Sequence, residues 1–128
     1  MSDSGRERWS HEQIEQLLEK HEDELLEDLG RNVGPIGLDA VPPSRRQLIA
    51  RGRDWLEKNR ESVCRSLYQS KTICDYVGGE SVFGRVELVA AIGDAIITLL
   101  SGPALLTVSV VISKRGIQEL CGTRINKS

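Results

Sequence analysis

The 128-residue chain is long enough to build one domain around a single hydrophobic core and too short for two domains that are each stable alone. Only five residues are aromatic, so leucine, isoleucine, valine and alanine must fill that core, which favours helices packed on helices. The net charge of −2 is unremarkable, but it conceals an uneven distribution along the chain.

Acidic residues are concentrated at the start of the chain. Residues 1–29 contain ten acidic and three basic side chains, whereas the remainder contains nine acidic and fourteen basic ones. This asymmetry is typical either of an acidic arm that binds a basic partner or of two parts that neutralise each other within one molecule. We favour neutralisation within the molecule, because surface ion pairs form without selection for a partner.

The cysteine content indicates a reducing compartment. Cys64, Cys74 and Cys121 cannot all pair, and the first nine residues contain no apolar segment of the kind found in secretory signals. Free thiols in the cytoplasm are the simplest interpretation. The cysteines and the two histidines also lack the close ligand pairs of a structural zinc site, so we expect no metal and no cofactor.

The first predicted helix spans residues 11–29. Ser10 and Gln13 have the spacing of a capping box, in which each side chain bonds the backbone amide of the other residue. Apolar residues then recur at helical spacing, namely Ile14, Leu17, Leu18, Leu25, Leu26 and Leu29. Gly30 is expected to end the helix in a left-handed conformation, and the opposite face is a run of glutamates and aspartates.

A linker and a long second helix follow. Residues 30–43 carry three glycines and three prolines, so neither helical nor sheet hydrogen bonding can run through them. Ser44 and Gln47 repeat the capping-box spacing and predict a helix that extends to about Tyr68. Within it, Gly52 permits a close crossing with another helix.

The last part of the chain is strongly apolar. Between residues 88 and 112 only Asp94 is ionisable, so this segment either forms buried helices or enters lipid. Gly102 and Pro103 interrupt the run, and proline is well placed at the start of a new helix, so the segment is predicted to be a helical hairpin. The predicted helices after the second are therefore 71–77, 82–100, 103–115 and a last turn over 117–121.

The sequence as a whole predicts an all-α fold, a small bundle of four to five helices with a C-terminal apolar helical hairpin and a tethered acidic N-terminal helix. The predicted organisation is an N-terminal helix over 1–29, a linker over 30–43, a helical core domain over 44–122 and a tail over 123–128. The sequence leaves open whether the N-terminal helix packs on its own core or on another chain.

Candidate interaction residues lie on the first two predicted helices. The leucine stripe of the first and the basic side of the second could each contact a partner, and the residues that we single out are Ile14, Leu17, Leu18, Leu25, Arg46, Arg53 and Arg60. Asp94 is a predicted buried carboxylate, which is costly unless it is paired or protonated. We expect a hydrogen bond or an arginine of the second helix to satisfy it.

No catalytic, phosphate-binding or cofactor-binding motif occurs in the sequence. We therefore predict a non-enzymatic adaptor that binds another protein, or itself, through helix faces. The alternative is a membrane-associated protein, either tail-anchored or membrane-active in the manner of a toxin or an immune effector, that uses the apolar hairpin over 88–112. An enzyme with Cys64 or Asp94 as its reactive group is supported least, no small-molecule substrate is implied, and the second helix lacks a nucleic-acid-binding motif.

Overall fold

The computed structural model describes residues 9–33, 42–80 and 82–122, and these form seven helices and no strand. In chain order the helices are α1 (His11–Leu18), α2 (Glu22–Val33), α3 (Arg45–Tyr68), α4 (Lys71–Val77), α5 (Arg85–Ile96), α6 (Gly102–Arg115) and α7 (Ile117–Cys121). The predicted all-α class is confirmed for this part of the chain. The predicted tail and residues 34–41 of the predicted linker lie outside the described ranges.

Helix α6 occupies the centre of the fold. Every residue from 104 to 112 is buried, and α6 packs against α1, α2, α5 and α7. A polar side chain at this depth needs an internal partner, and the Ser109 hydroxyl donates a hydrogen bond to the Leu105 carbonyl at 2.8 Å. Pro103 lies in the first turn, where a helix needs no amide donor. The second half of the apolar run, residues 104–112, therefore forms the interior of the bundle.

The predicted alternative of a membrane-spanning segment finds no counterpart among the described helices. None of those in residues 9–33, 42–80 and 82–122 is both long enough and apolar enough to cross a bilayer.

The two predicted capping boxes are confirmed. The Ser10 hydroxyl accepts a hydrogen bond from the Gln13 amide at 3.0 Å, and the Ser44 hydroxyl accepts one from the Gln47 amide at 3.1 Å. In both cases the glutamine side chain bonds back to the serine amide. These local signals fix the starts of α1 and α3 as predicted.

The predicted first helix over 11–29 is wrong, because the chain turns after Leu18 and forms two helices. The Lys114 ammonium donates a hydrogen bond to the Leu18 carbonyl at 2.7 Å, which satisfies an acceptor at the end of α1. The Glu24 carboxylate then accepts a hydrogen bond from the His21 amide at 3.2 Å and helps to start α2. The helical spacing of leucines continues through the break, so no local pattern in the sequence marks it.

Gly30 does not end a helix, contrary to the prediction. It lies inside α2, which continues to Val33, and it is buried where α3 crosses. A Cβ atom at Gly30 would overlap the Leu48 carbonyl, and one at Gly52 would overlap the Leu26 carbonyl. The two glycines thus allow the backbones of α2 and α3 to touch, which confirms the predicted close crossing at Gly52.

Ion pairs join the acidic start of the chain to the basic remainder. They are Arg45–Glu27 at 2.9 Å, Arg53–Asp23 at 3.9 Å and Arg115–Glu22 at 2.8 Å. The Arg115 guanidinium bonds the Glu22 carboxylate through two nitrogens, a geometry that is stronger than a single contact. Part of the uneven charge is therefore neutralised within one molecule, as we favoured from the sequence.

The prediction of three free thiols is wrong. Cys64 on α3 and Cys121 on α7 form a buried disulfide, with 5.7 Å between their Cα atoms, whereas Cys74 is free and exposed. The bonded residues are 57 positions apart, so only the fold brings them together. The cysteine argument for a reducing compartment accordingly loses its basis.

Candidate interaction surface

The leucine stripe predicted to bind a partner lies in the core. Ile14, Leu18 and Leu25 are only 2%, 5% and 0% exposed, and Leu17 is half-buried against the same core. The apolar faces of α1 and α2 pack on α6 and α3 of the same chain. In this fold the stripe stabilises the bundle and offers no surface to another protein, which corrects the sequence-based interpretation.

The three candidate arginines do not form one basic patch. Arg46 is exposed, Arg53 lies 3.9 Å from Asp23, and Arg60 lies 3.6 Å from Glu57. The exposed side of α3 also carries the carboxylates of Asp54, Glu57 and Glu61, and Asp54 pairs with Lys58 at 3.2 Å. Basic and acidic groups alternate along this face, which is typical of a solvated helix surface.

Asp94 is exposed, so the prediction of a buried carboxylate is wrong. It follows Ile92 and Gly93, which are buried, and its position on α5 turns it away from the core. The sequence did not reveal the exposure of Asp94, because apolar residues of α5 also lie outside its buried face. The reason for considering Asp94 as a reactive group is thereby removed.

A groove of about 500 Å³ lies between α1 and the start of α5. Its walls include Glu15 and Leu18 from α1, Glu19 directly after α1, and Arg85, Val86 and Glu87 from α5. Trp9, which precedes α1, lies against α5, because a Cβ atom at Gly93 would meet its ring. The groove is thus framed by two helices that are anchored in the core.

The charges of the groove are unequal. Glu15, Glu19 and Glu87 contribute three carboxylates to its lining against the single guanidinium of Arg85. His11 Nε2 lies 3.5 Å from a Glu15 carboxylate oxygen, and the Glu87 carboxylate accepts a hydrogen bond from the Gly84 amide at 2.7 Å. The lining therefore carries an excess of negative charge at neutral pH.

An apolar loop adjoins the groove. Val82 is 93% exposed, the largest exposure of any large apolar side chain in the described residues, and Phe83 stacks on Tyr76 with 5.5 Å between ring centroids. Both precede Gly84 and Val86 of the groove. Sequence reasoning missed this surface, although two large apolar residues in a short loop that ends in glycine were a usable signal.

Tyr68 and Cys74 form a second polar feature, at the end of α3. The Tyr68 hydroxyl is buried with no hydrogen-bond partner among the described residues, and burial, with a smaller contribution from Cys74, raises the pKa of Tyr68 above its usual value. The Cys74 thiol donates a hydrogen bond to the Tyr68 carbonyl at 3.2 Å. This arrangement does not pair a nucleophile with a base.

The search for a metal site in the described residues and the comparisons with known proteins give no indication of function. In the described part of the chain, no group of three or more histidine, cysteine, aspartate or glutamate side chains is arranged to hold a metal ion. In comparisons with protein-family models, curated proteins and solved structures, none matched this chain.

Proposed function

We propose that this protein is a non-enzymatic protein–protein interaction module that binds through the groove between α1 and α5. The observation that supports this proposal is a groove lined by three carboxylates and one guanidinium, whose lining on the α5 side begins at Gly84, two residues after the highly exposed Val82. Concave surfaces that combine apolar side chains with a few convergent polar groups are typical of recognition sites, and this groove combines Leu18 and Val86 with four charged groups.

The chemistry of the groove indicates the kind of segment that fits it. Three carboxylates against one guanidinium favour a partner segment with lysine or arginine. Val82 and Val86 favour an aliphatic or aromatic side chain next to those basic residues. The proposed partner is therefore a protein that presents a short basic segment with an apolar anchor.

Peptide selection tests this proposal and does not require that the partner be identified first. A library of random displayed peptides is selected on the immobilised full chain, and the enriched peptides are then titrated against variants. We expect enriched sequences in which lysine or arginine neighbours a large apolar residue. The double substitution Glu15→Lys with Glu19→Lys should weaken their binding by about tenfold or more, because it reverses the charge of one wall.

A matched control is available on α3, none of whose residues lines the groove. Glu57 and Glu61 have the same spacing and are exposed on α3, so Glu57→Lys with Glu61→Lys changes the total charge equally. We expect this control to leave peptide binding within about twofold, apart from long-range charge effects that salt removes. Equal weakening by both double variants, or no enrichment of basic and apolar peptides, would contradict the proposal.

A further inference from the structure

The groove between α1 and α5 has a chemical complement in its own chain. Residues 123–128 follow Gly122, and they carry Arg124 and Lys127 on either side of Ile125, with no acidic side chain. The groove lining carries three carboxylates against one guanidinium, together with two apolar side chains. The segment therefore combines positive charge with an aliphatic side chain, which is the composition that this lining favours.

The two longer stretches outside the described ranges do not have this composition. Residues 1–8 contain two acidic and two basic side chains, so they carry no net side-chain charge. Residues 34–41 contain Asp39 and no basic side chain. Among these stretches, charge complementarity with the groove selects residues 123–128.

The end of α6 places the segment within reach of the groove. The Lys114 ammonium donates a hydrogen bond to the carbonyl of Leu18 at 2.7 Å, and Leu18 lines the groove. Helix α7 follows at once and has five residues, which gives it a length of about 7.5 Å. Six extended residues span about 20 Å, more than twice that length, so the segment reaches the groove whichever way α7 points.

We propose that residues 123–128 occupy the groove of their own chain and compete there with a partner. Arg124 and Lys127 pair with the groove carboxylates, and Ile125 contacts the apolar part of the lining. A segment on a short tether has an effective concentration of about 1 mM, so even weak contacts fill the groove. The competition with a partner rests on the function proposed above for the groove, whereas the contact within the chain does not.

Carbodiimide crosslinking of the full chain tests the contact without any partner. The reagent joins a lysine amine to a carboxylate as an amide, with loss of water, when the two groups lie close together. We expect peptide mapping to show Lys127 linked within one molecule to Glu15, Glu19 or Glu87. Lys58 is the matched control, because it lies 3.2 Å from Asp54 on α3 and should link to that residue and not to the groove.

Titration of the selected basic and apolar peptides tests the competition. With an affinity of about 0.1 mM for the groove, a tethered segment at about 1 mM occupies most molecules. Arg124→Glu with Lys127→Glu should therefore strengthen peptide binding by about tenfold. Arg46→Glu with Lys58→Glu, at exposed positions of α3, changes the total charge equally and should alter peptide binding by about twofold or less at moderate salt.

The two measurements separate failure of this inference from failure of the proposed function. Absence of a link from Lys127 to the groove would overturn the contact, and links that join two chains would replace it by exchange between copies. Equal effects of the two double variants on peptide binding would overturn the competition. Links within one chain, combined with no peptide binding by any variant, would confirm the contact and contradict the partner-binding function.

Discussion

Replacing Gly52 by alanine tests how closely α2 and α3 approach each other. The added Cβ atom would overlap the Leu26 carbonyl, and a backbone atom cannot rotate away as the end of a side chain can. Alanine is favoured over glycine in a helix interior by about 1 kcal/mol, whereas overpacking that moves a backbone costs about 3 kcal/mol. The overlap outweighs the helix preference, so we expect the free energy of unfolding to fall by about 2 kcal/mol.

Urea unfolding followed by circular dichroism measures this change. With a slope of about 2 kcal/mol per molar urea, the midpoint should move down by about 1 M. Ala50→Gly, on the exposed side of the same helix, is the matched control, because it alters helix preference alone and should cost about 1 kcal/mol or less. A Gly52→Ala variant as stable as the natural chain would refute the contact between the two backbones.

Three further substitutions or treatments probe contacts that join distant parts of the chain. Lys114→Met removes the hydrogen bond to the Leu18 carbonyl and should cost about 1 kcal/mol in urea unfolding; an unchanged midpoint would show that this bond does not hold α1. Reduction of the Cys64–Cys121 disulfide should lower the free energy of unfolding by about 4 kcal/mol, because the bond closes a loop of 57 positions. A thiol reagent should react with one thiol in the native chain and with three in the reduced, unfolded chain. Burial raises the pKa of Tyr68 in the folded state, so its contribution to stability should be fully present below about pH 10 and decline above it. When unfolding is measured at each pH, Tyr68→Phe should reduce that decline. An identical decline in both chains would show that Tyr68 does not contribute.

The starts of α1 and α3 could be predicted because their signals are local. Each capping box needs only a serine and a glutamine three residues later, and the energetics do not depend on what the helix packs against. The short helix α4 and the turn α7 were likewise bounded by adjacent glycines or polar residues. The close crossing at Gly52 could be predicted because a glycine within a helix has no side chain to hold a neighbouring helix away.

Other features could not be read from the sequence, because each depends on a residue that is distant along the chain. The break after Leu18 involves Lys114, and the disulfide joins positions 57 residues apart. Gly30 was interpreted as a helix end because glycine commonly ends helices. Its actual role, to let α3 cross closely, depends on tertiary structure that the local sequence does not show. The same limitation affected the candidate site, since the groove is formed by α1 and α5, which only the tertiary fold brings side by side.

The position of the leucine stripe matters most for function. On sequence alone, a helix with an apolar face on a glycine- and proline-rich linker could bind either its own chain or a partner. Leu25, Leu26 and Leu29 are fully buried, so the stripe is part of the core. We therefore propose the groove, which is open at the surface of the folded bundle, as the partner-binding site.

Removing residues 1–43 is the most direct test of this arrangement. The truncated chain would lose α1 and α2 and leave α6 uncovered on two sides, since both helices pack against it. We expect residues 44–128 to lose the cooperative urea transition of the full chain and to bind a dye for exposed apolar surface. A truncated chain that unfolds cooperatively at the midpoint of the full chain would contradict a core built from α1, α2 and α6. That result would favour the leucine stripe as a partner-binding face.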